Sequence, residues 1–193
     1  MRLFKPNNIK NLCLISIIAL LLQGCSSSKQ YPQGDSEEPQ SSQIKRLMLE
    51  QGWDSNTRQL FWFTSQGSRI LPLRWFRALE QPENPALFLK AEHMDGLGYL
   101  PQASSSYNPA ALPIGFAVDK DRKANIDWVG LTCAACHTNQ IDYQGKQILI
   151  EGAPTLANFE LFYSRLVDSL QQTLNSPEKY RRFAQRVLKA DNT

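Results

Sequence analysis

TCAACHTN, residues 132–139, decides how this 193-residue chain is read. Two cysteines stand three positions apart and a histidine follows the second, in a chain holding 4 Cys and 2 His. At that composition a C-x-x-C-H string arises by chance in roughly one chain of this length in a thousand. The spacing matches covalent attachment of a c-type haem. Each thiol adds across one vinyl group to give a thioether. Two intervening residues bring both sulfurs to one edge of the porphyrin, and the next residue carries its imidazole beneath the iron as proximal ligand. Cys133 and Cys136 are therefore the candidate haem-binding residues, and His137 is the candidate iron ligand.

The remaining cysteines bear on this reading. The chain opens with Arg2, Lys5 and Lys10, continues with an apolar run from Leu12 to Leu22, and has no acidic residue before Cys25. That is the charge and length pattern of a secretory signal peptide, with an apolar run too short to span a bilayer. The segment ends in LQGC, which resembles the bacterial lipobox. The resemblance implies cleavage before Cys25 and acylation there, with Ser26 at the next position favouring the outer membrane of a Gram-negative cell. Cys13 leaves with the signal, so only the two motif cysteines remain in the exported part. Removing three leader cations from 21 leaves 18 basic residues against 18 acidic. The exported chain is thus uncharged overall and carries no basic excess for nucleic acid.

Export suits haem attachment, but an oxidising compartment also permits a Cys133–Cys136 disulfide or redox pair. A structural zinc site would have to recruit His93 to Cys133, Cys136 and His137 as fourth ligand.

Working outward, residues 1–24 are expected to be the signal peptide and 25–43 a flexible tether. SSSKQYPQGDSEEPQSSQ is too polar to bury a core. Residues 44–193 are expected to form one domain. Its start is aromatic, with Trp53, Phe61, Trp62, Phe63, Trp75 and Phe76. Asp54 or Ser55 is placed to cap a helix running to about Ser65, and a second helical face runs from Leu73 to Leu79. These aromatics read as core or as a haem wall, with Arg74 and Arg77 able to meet haem propionates. The stretch from Pro82 to Asp119 reads as a long loop with short ordered pieces. It carries His93 and Met94, which with Met48, expected on an earlier helical segment, are the candidates for a second axial ligand. Thr132 is placed to cap a short helix through the motif. Then IDYQGKQILI reads as a hairpin turning at Gln144–Gly145. Phe159, Phe162, Leu166, Leu170 and Leu174 mark an amphipathic helix. Ser176 and Pro177 open another, with Tyr180, Phe183 and Val187 as its stripe. Thr155 and Asn158 are candidates for a haem-edge contact, and Thr155 equally for a helix cap. The expected fold class is mainly α: a cytochrome c-like helical haem domain with a small β-hairpin and long loops.

WVGLTCAACHTNQ, preceded by NPAALPIGF, resembles the di-haem cytochrome c peroxidase-like superfamily. It is similar in particular to the branch that contains extracellular rubber oxygenases and related lipoproteins. The resemblance covers most of residues 50–190, the N-terminal haem half of such proteins. It implies haem at Cys133 and Cys136 and His137 as proximal ligand. Those proteins carry a second CxxCH, and this sequence holds one. The expected function is an exported c-type cytochrome lipoprotein with one covalent haem c, engaged in electron transfer with a periplasmic redox partner and held to the bilayer through acylated Cys25. The alternatives are a peroxidase- or oxygenase-type haem enzyme, and a non-haem periplasmic lipoprotein with a CxxC disulfide. With no second ligand rigidly placed by sequence, the resting iron is expected to be partly high-spin.

Overall fold

The computed structural model describes residues 46–190. The expected signal peptide, tether and lipidation site Cys25 lie outside those residues. Among the described residues there are six strands and five α-helices: β1 (Leu47–Met48), α1 (Ser55–Phe63), β2 (Leu71–Pro72), α2 (Leu73–Ala78), α3 (Ala91–Gly96), β3 (Phe116–Asp121), β4 (Ile126–Leu131), β5 (Thr138–Tyr143), β6 (Lys146–Glu151), α4 (Phe159–Asn175) and α5 (Pro177–Ala190).

The fold is mixed α/β, and this corrects the expected mainly helical class. Helix takes about 38% of the described residues and strand 21%, in two small sheets rather than one hairpin. The missed element is the β3–β4 hairpin, paired from Phe116↔Leu131 to Asp121↔Ile126. Near the core its strands are apolar on both faces, with Phe116, Ala117, Val129 and Gly130 all buried. Toward the turn they run through Asp119, Lys120, Asp121, Arg122 and Lys123. Neither half alternates, so the period-2 signature of a strand is absent.

One sheet has the order β2-β4-β3 and is antiparallel throughout. The other has the order β1-β6-β5, with β5 and β6 antiparallel and β1 joining β6 in parallel at Leu47↔Ile148. The β5–β6 hairpin turns where expected. Gln144 (φ 48°) and Gly145 (φ 72°) are both left-handed, as the tight turn matching strand twist demands.

Helix boundaries follow their caps. Asp54 accepts from the Thr57 amide and opens α1; Asn158 accepts from the Leu161 amide and opens α4. Ser176 accepts from the Lys179 amide, with Pro177 in the first turn of α5. The larger core is built around Phe76, Phe88, Tyr99, Phe116 and Phe162. Their edge-on and tilted contacts include centroid distances of 4.9 Å (Tyr99–Phe116) and 5.3 Å (Tyr99–Phe162). A smaller core gathers Trp62, Phe63, Ile114, Ala134 and Leu149. The expected stripe on α2 is half right. Phe76 and Leu79 are buried, but Trp75 is 43% exposed and rests its edge on Phe183.

Candidate functional site

The CxxCH motif is the link between the two sheets. β4 ends at Leu131, β5 begins at Thr138, and one 3₁₀ turn over Cys133–Ala135 fills the gap. Thr132 caps it as expected: its side chain accepts from the Ala134 amide and donates to the Trp62 carbonyl. The helical piece is one turn only, and His137 lies beyond it.

In a turn of three residues, positions i and i+3 lie on the same side. Cys133 and Cys136 accordingly both reach the surface as free thiols, and His137 is exposed beside them. Between them Ala134 and Ala135 are 1% and 4% exposed. Ala134 packs into the smaller core and Ala135 into the larger. The two intervening residues thus plug the turn into the protein, while the three chemically active side chains face out. Gly115, at φ 87°, leaves no room for a side chain of its own against the turn: a Cβ on it would stand 2.2 Å from the Ala135 nitrogen. The Gly115 carbonyl also accepts from the Thr132 amide at 2.8 Å.

The far side of the motif is held by backbone. The amide of Gly152 donates to the His137 carbonyl at 2.7 Å, and that of Thr155 to the Cys136 carbonyl at 3.0 Å. The Cys133 thiol meets the Gln66 side-chain oxygen at 3.2 Å. Next to Thr155, Leu156 is 76% exposed, and Phe159 and Tyr163 at the head of α4 stack on one another with about half their surface open. The cap of α4 is Asn158, not Thr155 as expected, and the Thr155 side chain accepts from the Ala157 amide instead.

Sequence reasoning missed Tyr99. Its ring is buried between Phe116 and Phe162. Burial, aided by the nearby Cys136 thiol, pushes its phenol up to about 12. Tyr99 therefore keeps its proton at neutral pH. The only hint in sequence was a tyrosine in GLGYLP, within a segment read as loop.

The other candidates are dispersed. Met94 is fully buried in the larger core. His93 packs its edge on Phe88 at 4.7 Å, and its Nε2 is buried without a hydrogen bond. Burial lowers the pKa of His93, and the Arg165 charge lowers it further. Met48 lies in β1, not on a helix. Arg74 and Arg77 line a cleft with Asn125 and Asp127, at the other end of β4 from the cysteines. Among the described residues no three His, Cys, Asp or Glu side chains converge as a metal-ion site, so the zinc alternative finds no ligand set there. No helix among them is long and apolar enough to cross a membrane.

No family model matches the chain, and no solved structure matches it. One similar protein is the uncharacterized protein y4iJ of Sinorhizobium fredii (strain NBRC 101917 / NGR234), 32% identical over 164 residues. The match covers 75% of this chain and 27% of that protein, so the chain spans about a quarter of the relative's length.

Proposed function

We propose that this protein is an exported c-type cytochrome that binds one haem covalently and takes part in electron transfer. The observation that carries this reading is the division of the CxxCH turn. Both thiols are exposed at one turn with the imidazole exposed just beyond it, and the two residues between the thiols are buried. The residues present suit the group. Cys133 and Cys136 would each add S–H across a vinyl C=C, a step that needs no other reactant. His137 would hold the iron from a position fixed by its covalent neighbours and by the Gly152 amide on its carbonyl. The haem would supply one-electron chemistry. The chain's part is to fix the attachment edge and to offer apolar surface at Leu156, Phe159 and Tyr163.

The test is a haem stain after denaturing electrophoresis. Wild type is expected to stain, and Cys133→Ala with Cys136→Ala to lose the stain entirely. An undiminished stain in the double variant overturns the assignment.

A second reading is a peroxidase- or oxygenase-type haem enzyme. It needs an acid–base group with a pKa near neutral, which Tyr99, pushed up to about 12 by burial, does not supply. The di-haem resemblance belongs with this reading. The spin state separates the two. A low-spin spectrum that turns high-spin on His93→Ala or Met94→Ala supports the electron carrier. A high-spin resting state, with iron open on one face, supports the enzyme.

We also propose a lipid anchor at Cys25 facing the periplasm, on the outer membrane. It is motivated by the basic leader, the apolar run and LQGC. Cys25→Ser is expected to release the protein into the soluble fraction or to block processing. A processed, membrane-bound variant refutes the anchor.

A further inference from the structure

The sheet of β1, β6 and β5 has two faces, and alternation along each strand sorts its side chains between them. Leu149 and Glu151 of β6 are buried and point into the protein, as does Thr138 of β5, paired with Glu151. Ile148 and Ile150 therefore point out. Leu47 and Ile141 stand directly across from Ile148 on either side, so the three form one row over the sheet. Leu47 is 49% exposed and Ile141 45%. The row toward the hairpin turn pairs Tyr143, 60% exposed, with Lys146, and the row toward the motif pairs Asn139 with Ile150. A solvated sheet face ordinarily carries polar residues at such alternate positions. Here aliphatic side chains take most of them, and a contiguous apolar patch of this kind marks an interaction surface. We propose that this outer face docks on the lipid bilayer to which acylated Cys25 holds the chain, an inference that rests on the proposed lipid anchor.

Position and charge select a bilayer over a protein partner. Cys25 precedes Leu47 by 22 positions in the sequence. Such a length reaches at most about 80 Å when fully extended. Docking of the face is then an intramolecular event at high effective concentration, so a modest apolar patch suffices. The point where the chain enters the fold is fixed at this same sheet. The Arg46 guanidinium donates to Gln140 Oε1 at 2.8 Å and to Gln102 Oε1 at 2.9 Å. Among the outward positions named, Lys146 is the charged one and none is acidic. Asp142 and Glu151 fall on the opposite face by alternation, so these positions hold nothing that repels anionic headgroups. Lys146 and Tyr143 stand side by side at the rim. An ammonium on a long apolar stem beside an aromatic ring is a pairing suited to headgroup depth.

Hydroxyl-radical footprinting of the full chain on vesicles of phosphatidylethanolamine and phosphatidylglycerol tests the docking, and flotation of the same sample reads the anchor. Tyr180 on α5, 53% exposed, is an internal standard for Tyr143. Tyr143 is expected to be labelled far less than Tyr180, and Leu47 to be protected with it. Ile141→Gln, a half-exposed position on an edge strand, should weaken docking about tenfold and bring Tyr143 up to the level of Tyr180. It should still float, because the acyl chains hold it. Leu174→Gln, at an exposed position on α4, should change neither readout. Equal labelling of Tyr143 and Tyr180 in a wild type that floats overturns the docking and leaves the anchor standing. Flotation and Tyr143 protection that survive Cys25→Ser and are lost in Ile141→Gln overturn the anchor and support the docking. A wild type that does not float overturns both. Protection that fades as fewer chains are placed on each vesicle assigns the face to a second copy and overturns the proposal.

Discussion

Glu80 lies under the last helix and Glu151 under the CxxCH turn; both side chains are buried, at 1% and 0% exposure. Around Glu80 every acceptor is used, by Arg182, Arg186 and Lys179. Around Glu151 there is one cation, Arg58, at 3.0 Å. Glu151 Oε2 finds no hydrogen-bond partner among the described residues. Neither do Thr138 Oγ1, on the residue paired with Glu151 across the hairpin, and Trp62 Nε1, one turn along α1 from Arg58. A carboxylate gripped by several cations fixes the geometry around it more firmly than one held by a single cation. The first region fastens a helix; the second lies beneath the only CxxCH turn in the sequence.

The largest effect expected from this contrast is on stability. Glu80→Ala leaves three cations facing one another where α5 docks on the core. Arg182 and Arg186 are about a third exposed and regain some water, so a loss of about 3 kcal/mol is expected, readable in urea unfolding. The same carboxylate should govern the acid limb. The Arg182 fork, then Arg186, hold its pKa below the ordinary range against the opposing effect of burial. A depressed pKa contributes stability that is full above the unfolded value of about 4.3 and fades as pH falls through the folded value. The gap in stability between wild type and Glu80→Gln should therefore shrink as pH drops from about 6 toward about 2. A gap that stays constant would mean the carboxylate is not the responsible group. Glu151→Gln should cost least, about 1 kcal/mol, because it removes a charge whose partners were incomplete and keeps the shape. A loss as large as that of Glu80→Ala would erase the distinction between the two regions.

What could be read from sequence was what local chemistry dictates. Asp54, Ser176 and Pro177 bracket helices because their side chains or rings act on backbone within a few residues. Gln144–Gly145 turns a hairpin because the turn needs left-handed φ. The Thr132 cap follows from one turn of chain. The β3–β4 hairpin was hidden because its strands are apolar on both faces at one end and charged at the other. Tyr99 was hidden for another reason. Its neighbour Cys136 comes from a distant element, 37 residues away. No spacing rule spans such a gap.

The parallel pairing of β1 with β6 also has a consequence in time. The β5–β6 hairpin closes across two turn residues and can form in microseconds. Leu47 must find Ile148 across 101 positions, an entropic cost of roughly 4 kcal/mol for a flexible loop, set against a ladder of two residues. That strand is expected to be the last piece of its sheet to settle and the first to let go. Hydrogen exchange should find the amides of Leu47 and Met48 opening long before those of the hairpin they lie beside.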